Sequence, residues 1–285
     1  MKGIIRNYLY YYQLFMLIFL FIFFFGCDGT TPAIYGSINI NSNPAGAKVY
    51  LDGVDTGHIT PIVLTNIAAG THTVKLELFH HQNKEDASVS VTAGETTYIN
   101  WALTYATIET LALQPGSEGK DAFVTDLWPS INYEYASYLY VGKHSFNYGA
   151  YLEFDLNSVS LPPDAVVIHG DLNLYQYGGL LDSLSIGVYQ VTSEWQENTI
   201  TWNNQPISLS EFEAIRIVHD TKGIWRTWYI NDLVKGWLDG SIPNYGILLK
   251  ATDNFANDNV AYFRSSDYMT DVTKCPKLVI GYYVP

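Results

Sequence analysis

Cysteine, methionine and positive charge are scarce in this sequence. Its 285 residues hold two cysteines, Cys27 and Cys275, three methionines, and 15 Lys and Arg against 28 Asp and Glu. Two cysteines cannot build a disulfide framework, so the fold must rest on apolar burial, for which 48% hydrophobic content is ample. A formal charge of −13 argues against nucleic acid and anionic lipid headgroups as partners, because both reward clustered cations. Also missing are a Gly-x-Ser-x-Gly elbow, a His-Glu-x-x-His pair, a phosphate loop and any closely spaced cysteine set. Carboxylates are so abundant that a glycosidase pair could be drawn almost anywhere, and such abundance identifies no site. The expectation is a non-catalytic chain that requires no cofactor, with a small polysaccharide-degrading enzyme as the catalytic alternative.

What is present begins with one long apolar run. Lys2 and Arg6 precede Tyr8–Phe25, which is apolar apart from Gln13, and Gly26-Cys27 closes it. A basic start, an apolar stretch and a small residue form an export signal. Phe24-Phe25-Gly26-Cys27 resembles the lipobox of bacterial lipoproteins, which implies a cleaved signal peptide over residues 1–27, lipid attachment at Cys27 and a tether over 28–34. An uncleaved signal anchor fits the same run, since about 18 apolar residues just span a bilayer. Ordinary secretion is the third reading. All three place the remaining chain outside the cytoplasm, as do basic residues before the run and none just after it. A lipid anchor to the cell membrane, with the bulk extracytoplasmic at the cell surface, is therefore expected.

After the tether the pattern turns to alternation. Gly36-Ser37-Ile38-Asn39-Ile40 and Ala47-Lys48-Val49-Tyr50-Leu51 place apolar and polar residues on opposite faces, with turn signals at Asn43-Pro44-Ala45-Gly46 and Asp52-Gly53. Further strands at 62–64, 71–78, 87–91 and 97–103 make five or six in a small sandwich over residues 35–105. Pro44-Ala45-Gly46-Ala47, Val49-Tyr50-Leu51-Asp52-Gly53, Thr60-Pro61 and Ala69-Gly70-Thr71-His72 resemble the PEGA domain, which implies a structural or surface-associated β-sandwich. His80-His81 invites a metal reading, but neighbouring side chains on a strand point apart, so an exposed bend is expected.

Residues 107–285 are again β-patterned, with one short helix where Ile230, Leu233, Val234 and Trp237 fall at helical spacing, Asn231 as its N-cap and Asp239-Gly240 as its stop. Four ordered motifs carry a resemblance to DNRLRE domains, which include carbohydrate-binding module family 96. They are Tyr151–Leu156 with Asp171–Tyr175; Val188–Trp195 through Thr201–Pro206; Ile230–Trp237 through Asn244–Lys250; and Phe263–Ser266 with Pro276–Ile280. The resemblance implies a larger jelly-roll-like sandwich, hence an all-β chain of two β-sandwich domains, and a carbohydrate ligand.

Sugar recognition uses exposed rings that stack on pyranose faces, with a few polar groups to orient the ligand. The chain is rich in rings, with 23 Tyr and 7 Trp. Trp195, Trp202 and Trp237 lie inside fold motifs and are expected to pack. Candidate ligand contacts lie outside them: Trp128, Tyr133 and Tyr135 in one loop-like stretch, Trp225 and Arg226 in another, with Lys143 and His144 as further donors. An aromatic lid on the sandwich is the structural alternative. From Thr107 onward 10 cations face 21 carboxylates, so a neutral polysaccharide is expected over an acidic one. Asp253–Asn259 has the oxygen donors for a structural calcium, although an Asx-rich turn accounts for the same residues. A structural or adhesion protein of the envelope, with a protein partner, is the alternative to glycan binding.

Overall fold

A computed structural model describes residues 34–179, 182–252 and 259–285, which form two compact units. The signal segment, Cys27, the tether through residue 33 and the acidic loop at 253–258 lie outside the described residues.

The first unit comprises residues 34–79 and 83–104 and has seven strands: β1 (Tyr35–Asn43), β2 (Lys48–Leu51), β3 (Val54–Ile59), β4 (Ile62–Ala68), β5 (Gly70–Glu77), β6 (Lys84–Val91) and β7 (Thr96–Ala102). They form two sheets, β4-β1-β7 and β3-β2-β5-β6, with β1 antiparallel to β4 and parallel to β7. The period of two sends Ile38 and Ile40 of β1 inward against Val49, Val74 and Leu76, all fully buried. One strand is additional to the expectation: β3 is exposed along nearly its whole length, so it carries no alternation.

The second unit holds residues 80–82 and 105–285. Its strands are β8 (Glu109–Leu113), β9 (Lys120–Thr125), β10 (Tyr138–His144), β11 (Phe146–Glu153), β12 (Val166–Gly179), β13 (Leu184–Gln190), β14 (Ala214–Val218), β15 (Ile224–Tyr229), β16 (Ile247–Ala251), β17 (Asn259–Arg264) and β18 (Lys277–Tyr283). β11 pairs with β9 on one flank and with β10 and then β16 on the other. β12 likewise has β15 on one flank and β18 and then β17 on the other. Two layers result, β9-β11-β16-β13-β14 and β15-β12-β18-β8, joined through the β10–β17 pair. Leu152, Ile186 and Leu249 of one layer meet Leu172, Leu174 and Trp228 of the other in one core. The Trp228 indole crosses it to donate to the Ile186 carbonyl at 3.0 Å. The chain is therefore all-β, two sandwiches in series.

Among the described residues one α-helix, α1 (Asn231–Asp239), docks on β12 and stops at Gly240 in the left-handed region, φ 77°. Asn231 is its first residue rather than its cap: the Asn231 Oδ1 accepts from the Gly170 amide at 2.9 Å, tying the helix to the strand. Residues 192–208 cover the outer face of the β9-β11-β16-β13 layer, where Trp195 and Ile200 pack on Tyr151, Tyr189 and Leu248. The most specific sequence motif is thus a cover for that face. His81 is not part of an exposed bend: it is 4% exposed, bridges to Tyr105 and lies 4.3 Å from that ring.

Candidate functional site

The β10–β17 ladder sets Tyr138 opposite Arg264, Leu139 opposite Phe263, Tyr140 opposite Tyr262 and Val141 opposite Ala261. Strand parity buries Leu139, Val141, Ala261 and Phe263 and leaves Tyr138, Tyr140, Tyr262 and Arg264 half-buried on the other face. Ring centroids stand 4.6 Å apart for Tyr138 and Tyr140, and 4.5 Å apart for Tyr140 and Tyr262. β12 extends the row through Tyr177, 6.0 Å from Tyr262, and through Tyr175, which meets Trp225 of β15 edge-on at 5.5 Å. At the other end Phe123 lies 5.2 Å from Tyr140 and stacks on Tyr133 at 4.1 Å. The result is a belt of half-buried rings from Tyr138 to Trp225, with Tyr133 joined to it through the buried ring of Phe123.

Cations punctuate the belt. The Arg264 guanidinium is held between the rings of Tyr177 and Tyr268, 3.8 Å from each centroid, and its buried Nε has no hydrogen-bond partner. Lys277 stands 4.3 Å from the Trp225 ring, and Lys274, bonded to Asp271, stands 5.1 Å from Tyr175. Burial pushes the phenols of Tyr133, Tyr140 and Tyr177 upward, so they remain neutral at physiological pH. Flat rings carrying neutral hydroxyls suit a ligand with apolar faces and polar edges.

The residues singled out from sequence divide into three groups. Trp225 sits at one end of the belt, and Tyr133 is joined to the other through Phe123. Trp128 and Tyr135 are 58% and 82% exposed, with no ring contact to the belt among the described residues. Arg226 is the exception to the expectation: it is 5% exposed, with Nε donating to Gln176 Oε1 at 2.7 Å and Nη2 to the carbonyls of His219 and Thr221. Its guanidinium braces β12 and the chain after β14 and is not offered to a ligand. Trp195 and Trp237 are buried and Trp202 is half-buried, while Lys143 and His144 are exposed. Tyr138, Tyr140, Tyr177, Tyr262 and Arg264 were missed; their signal is Tyr-x-Tyr at 138–140 and 175–177, the spacing of one strand face. Among the described residues no group of three or more His, Cys, Asp or Glu is placed to hold a metal ion. Nor is any helix among them long and apolar enough to cross a membrane.

The second unit coincides with a family match over residues 112–281, more than half of the chain. The chain belongs to carbohydrate-binding module family 96. Residues 35–106 match the PEGA domain, so the family 96 module follows a PEGA domain in the order expected from the motifs. No curated protein matches. Among solved structures, a Bacteroides uniformis protein provisionally assigned to carbohydrate binding aligns at 12% identity over 82% of this chain and 91% of its own, with a TM-score of 0.17. A structure of the Gx strain of infectious bursal disease virus aligns at 8% identity over 89% of this chain and 63% of its own, with a TM-score of 0.19. Superpositions this poor carry no argument, and the all-β assignment of the family 96 module rests on its own strands.

Proposed function

We propose that this is a non-catalytic lipoprotein of the cell envelope, anchored through Cys27, whose family 96 module binds polysaccharide on the aromatic belt. The observation that carries the reading is the belt itself: rings on four strands, kept half-buried on one face although the unit has a complete core beneath them. Rings laid edge to edge along strands match the repeat of a sugar chain better than a single pocket would. A net charge of −11 beyond Thr107 favours a neutral polymer. A second reading, an acidic polysaccharide, draws on Arg264, Lys274 and Lys277 within the belt. A protein partner at the envelope would instead use the apolar strip of Ile207, Leu209, Ile215 and Ile217, each close to half exposed or more.

Co-sedimentation with insoluble glucan, mannan and xylan, and affinity electrophoresis in soluble pectate, separate these readings. The expected result is retention on a neutral polymer that Tyr140→Ala and Trp225→Ala each weaken by about tenfold or more, the loss of one stacking ring. Binding to pectate alone, fading with salt, would select the acidic reading. Retention on no polysaccharide, with unchanged folding, would sink carbohydrate binding altogether.

A further inference from the structure

The two sheets of the PEGA domain turn unlike faces to solvent. On β3-β2-β5-β6 the outward residues carry charge: Lys75 stands opposite Glu85 and is bonded to Glu77, which is paired in turn with Lys48. That is the ordinary way to solvate one side of a sheet. On β4-β1-β7 no Lys, Arg, Asp or Glu stands among the outward residues of the described ladders. Asn39 lies between Val63 and Tyr98, and Asn41 lies beside Asn100. Ser37, between Thr65 and Thr96, completes the face. Tyr98 is 69% exposed. Asparagine is a poor strand former, so three on one sheet face call for a reason beyond local preference.

The amides on this face are ordered. Asn41 Nδ2 donates to Asn39 Oδ1 and to Asn100 Oδ1, at 3.0 Å each, and so uses both of its protons. Among the described residues Asn39 Nδ2, Asn100 Nδ2 and Asn41 Oδ1 have no protein partner, which leaves donors and an acceptor held side by side next to an exposed ring. Charge narrows the occupant. An anion would find no cation on the face and a cation no carboxylate, so the complement of this surface is an uncharged ligand. Protein partners anchor on Trp, Arg and large apolar groups, of which the face offers only Val63 and Tyr98. A sugar chain offers hydroxyls that both donate to and accept from amides, and ring faces that stack on tyrosine. Strand spacing and rise make the face about 10 Å wide and about 13 Å long, room for a short run of linked sugar rings. We infer that the outer face of β4-β1-β7 is a second glycan-binding surface, taking a neutral polysaccharide on the PEGA domain, apart from the aromatic belt.

The test watches the amides themselves. The whole protein is labelled with ¹⁵N-asparagine, and the side-chain signals of Asn39 and Asn100 are assigned by their loss in Asn39→Asp and Asn100→Asp. Hexasaccharides of cellulose, mannan, xylan and chitin are added in turn, with hexagalacturonate as the charged control. Both signals are expected to shift and saturate with at least one neutral hexasaccharide and to ignore hexagalacturonate. Tyr98→Ala, at an exposed position, should weaken that saturation by about tenfold, the loss of one stacking ring, while the remaining asparagine signals stay at wild-type positions and show the variant folded. Trp225→Ala, on the belt, should leave the titration unchanged. Signals that no neutral hexasaccharide moves overturn the inference, whether or not the protein still sediments with polysaccharide. So does a titration unaltered by Tyr98→Ala, an equal response to hexagalacturonate, or a response lost in Trp225→Ala. Saturating shifts in protein whose belt variants bind polysaccharide as the wild type does would uphold this face and remove the belt.

Discussion

His72 shows how a single residue can make a unit sensitive to pH. Its Nδ1 lies 2.7 Å from Asp52 Oδ2 and its Nε2 2.8 Å from the Ala68 carbonyl, and both partners only accept. Both ring nitrogens must therefore carry protons, which makes the ring an imidazolium. The bond to Asp52, and then the one to Ala68, raises the His72 pKa; the same ion pair and the Thr73 amide lower that of Asp52. A raised histidine contributes fully below its unfolded pKa and is lost as pH rises through the folded one. A lowered aspartate contributes above its unfolded pKa and is lost as pH falls through the folded one. The clamp is therefore complete between about pH 4 and 6.5, the ordinary Asp and His values. Because Asp52 is half exposed, the clamp adds no more than about 1 kcal/mol. Protection of the Thr73 amide in hydrogen exchange should fall from pH 6 to pH 8.5, and His72→Gln should remove that dependence. Arg226 teaches a different lesson at this scale. On β15 parity places it on the same face as Trp228, so its inward course was written in the strand once the strand was known.

At the scale of elements, α1 rests on one glycine. A Cβ on Gly170 would meet Val234 Cγ2 at 2.4 Å and Val234 Cβ at 2.7 Å, while the Gly170 carbonyl takes the Ile230 amide and its own amide holds Asn231. The helix cannot retreat without breaking both bonds. Gly170→Ala should lower stability of the second unit in urea by about 1–3 kcal/mol, the usual cost of overpacking. Adding Val234→Ala should recover part of that loss in a double-mutant cycle; simple additivity would mean the clash is not the cause. Elements such as α1 were legible because burial imposes periodicity: the spacing of Ile230, Leu233, Val234 and Trp237 is the record of one buried face. β3 was not, because a strand exposed on nearly every residue leaves no record. The belt was half legible. Its strand-borne rings stand on β10, β12, β15 and β17, and only long-range pairing brings Tyr140 to Tyr262 across more than a hundred residues.

Over the whole molecule, buried carboxyls and the His72 clamp shape how stability responds to pH. Asp121 is the centre of this effect: Oδ2 accepts from the Ser266 amide at 2.8 Å, its own amide donates to Glu197 Oε1 at 2.9 Å, and its Oδ1 is buried with no partner. Burial, with a smaller push from Glu197, raises the carboxyl to about 8. Glu197 and Asp267 are raised too, burial again coming first. In the unfolded chain such groups titrate near 4. Between about pH 4 and pH 8 the folded unit therefore binds more protons than the unfolded chain, and its stability declines as pH rises. Calorimetry of the whole protein at pH 5, 6, 7 and 8 should show the second unit melting at progressively lower temperature, with Asp121→Asn flattening the trend. The first unit moves in the same direction above pH 6.5 through His72, so His72→Gln serves to separate the two transitions. A second unit whose melting temperature is constant or rises toward pH 8 would mean that the buried Asp121 carboxylate is ionised and stabilised by a partner absent from its present surroundings.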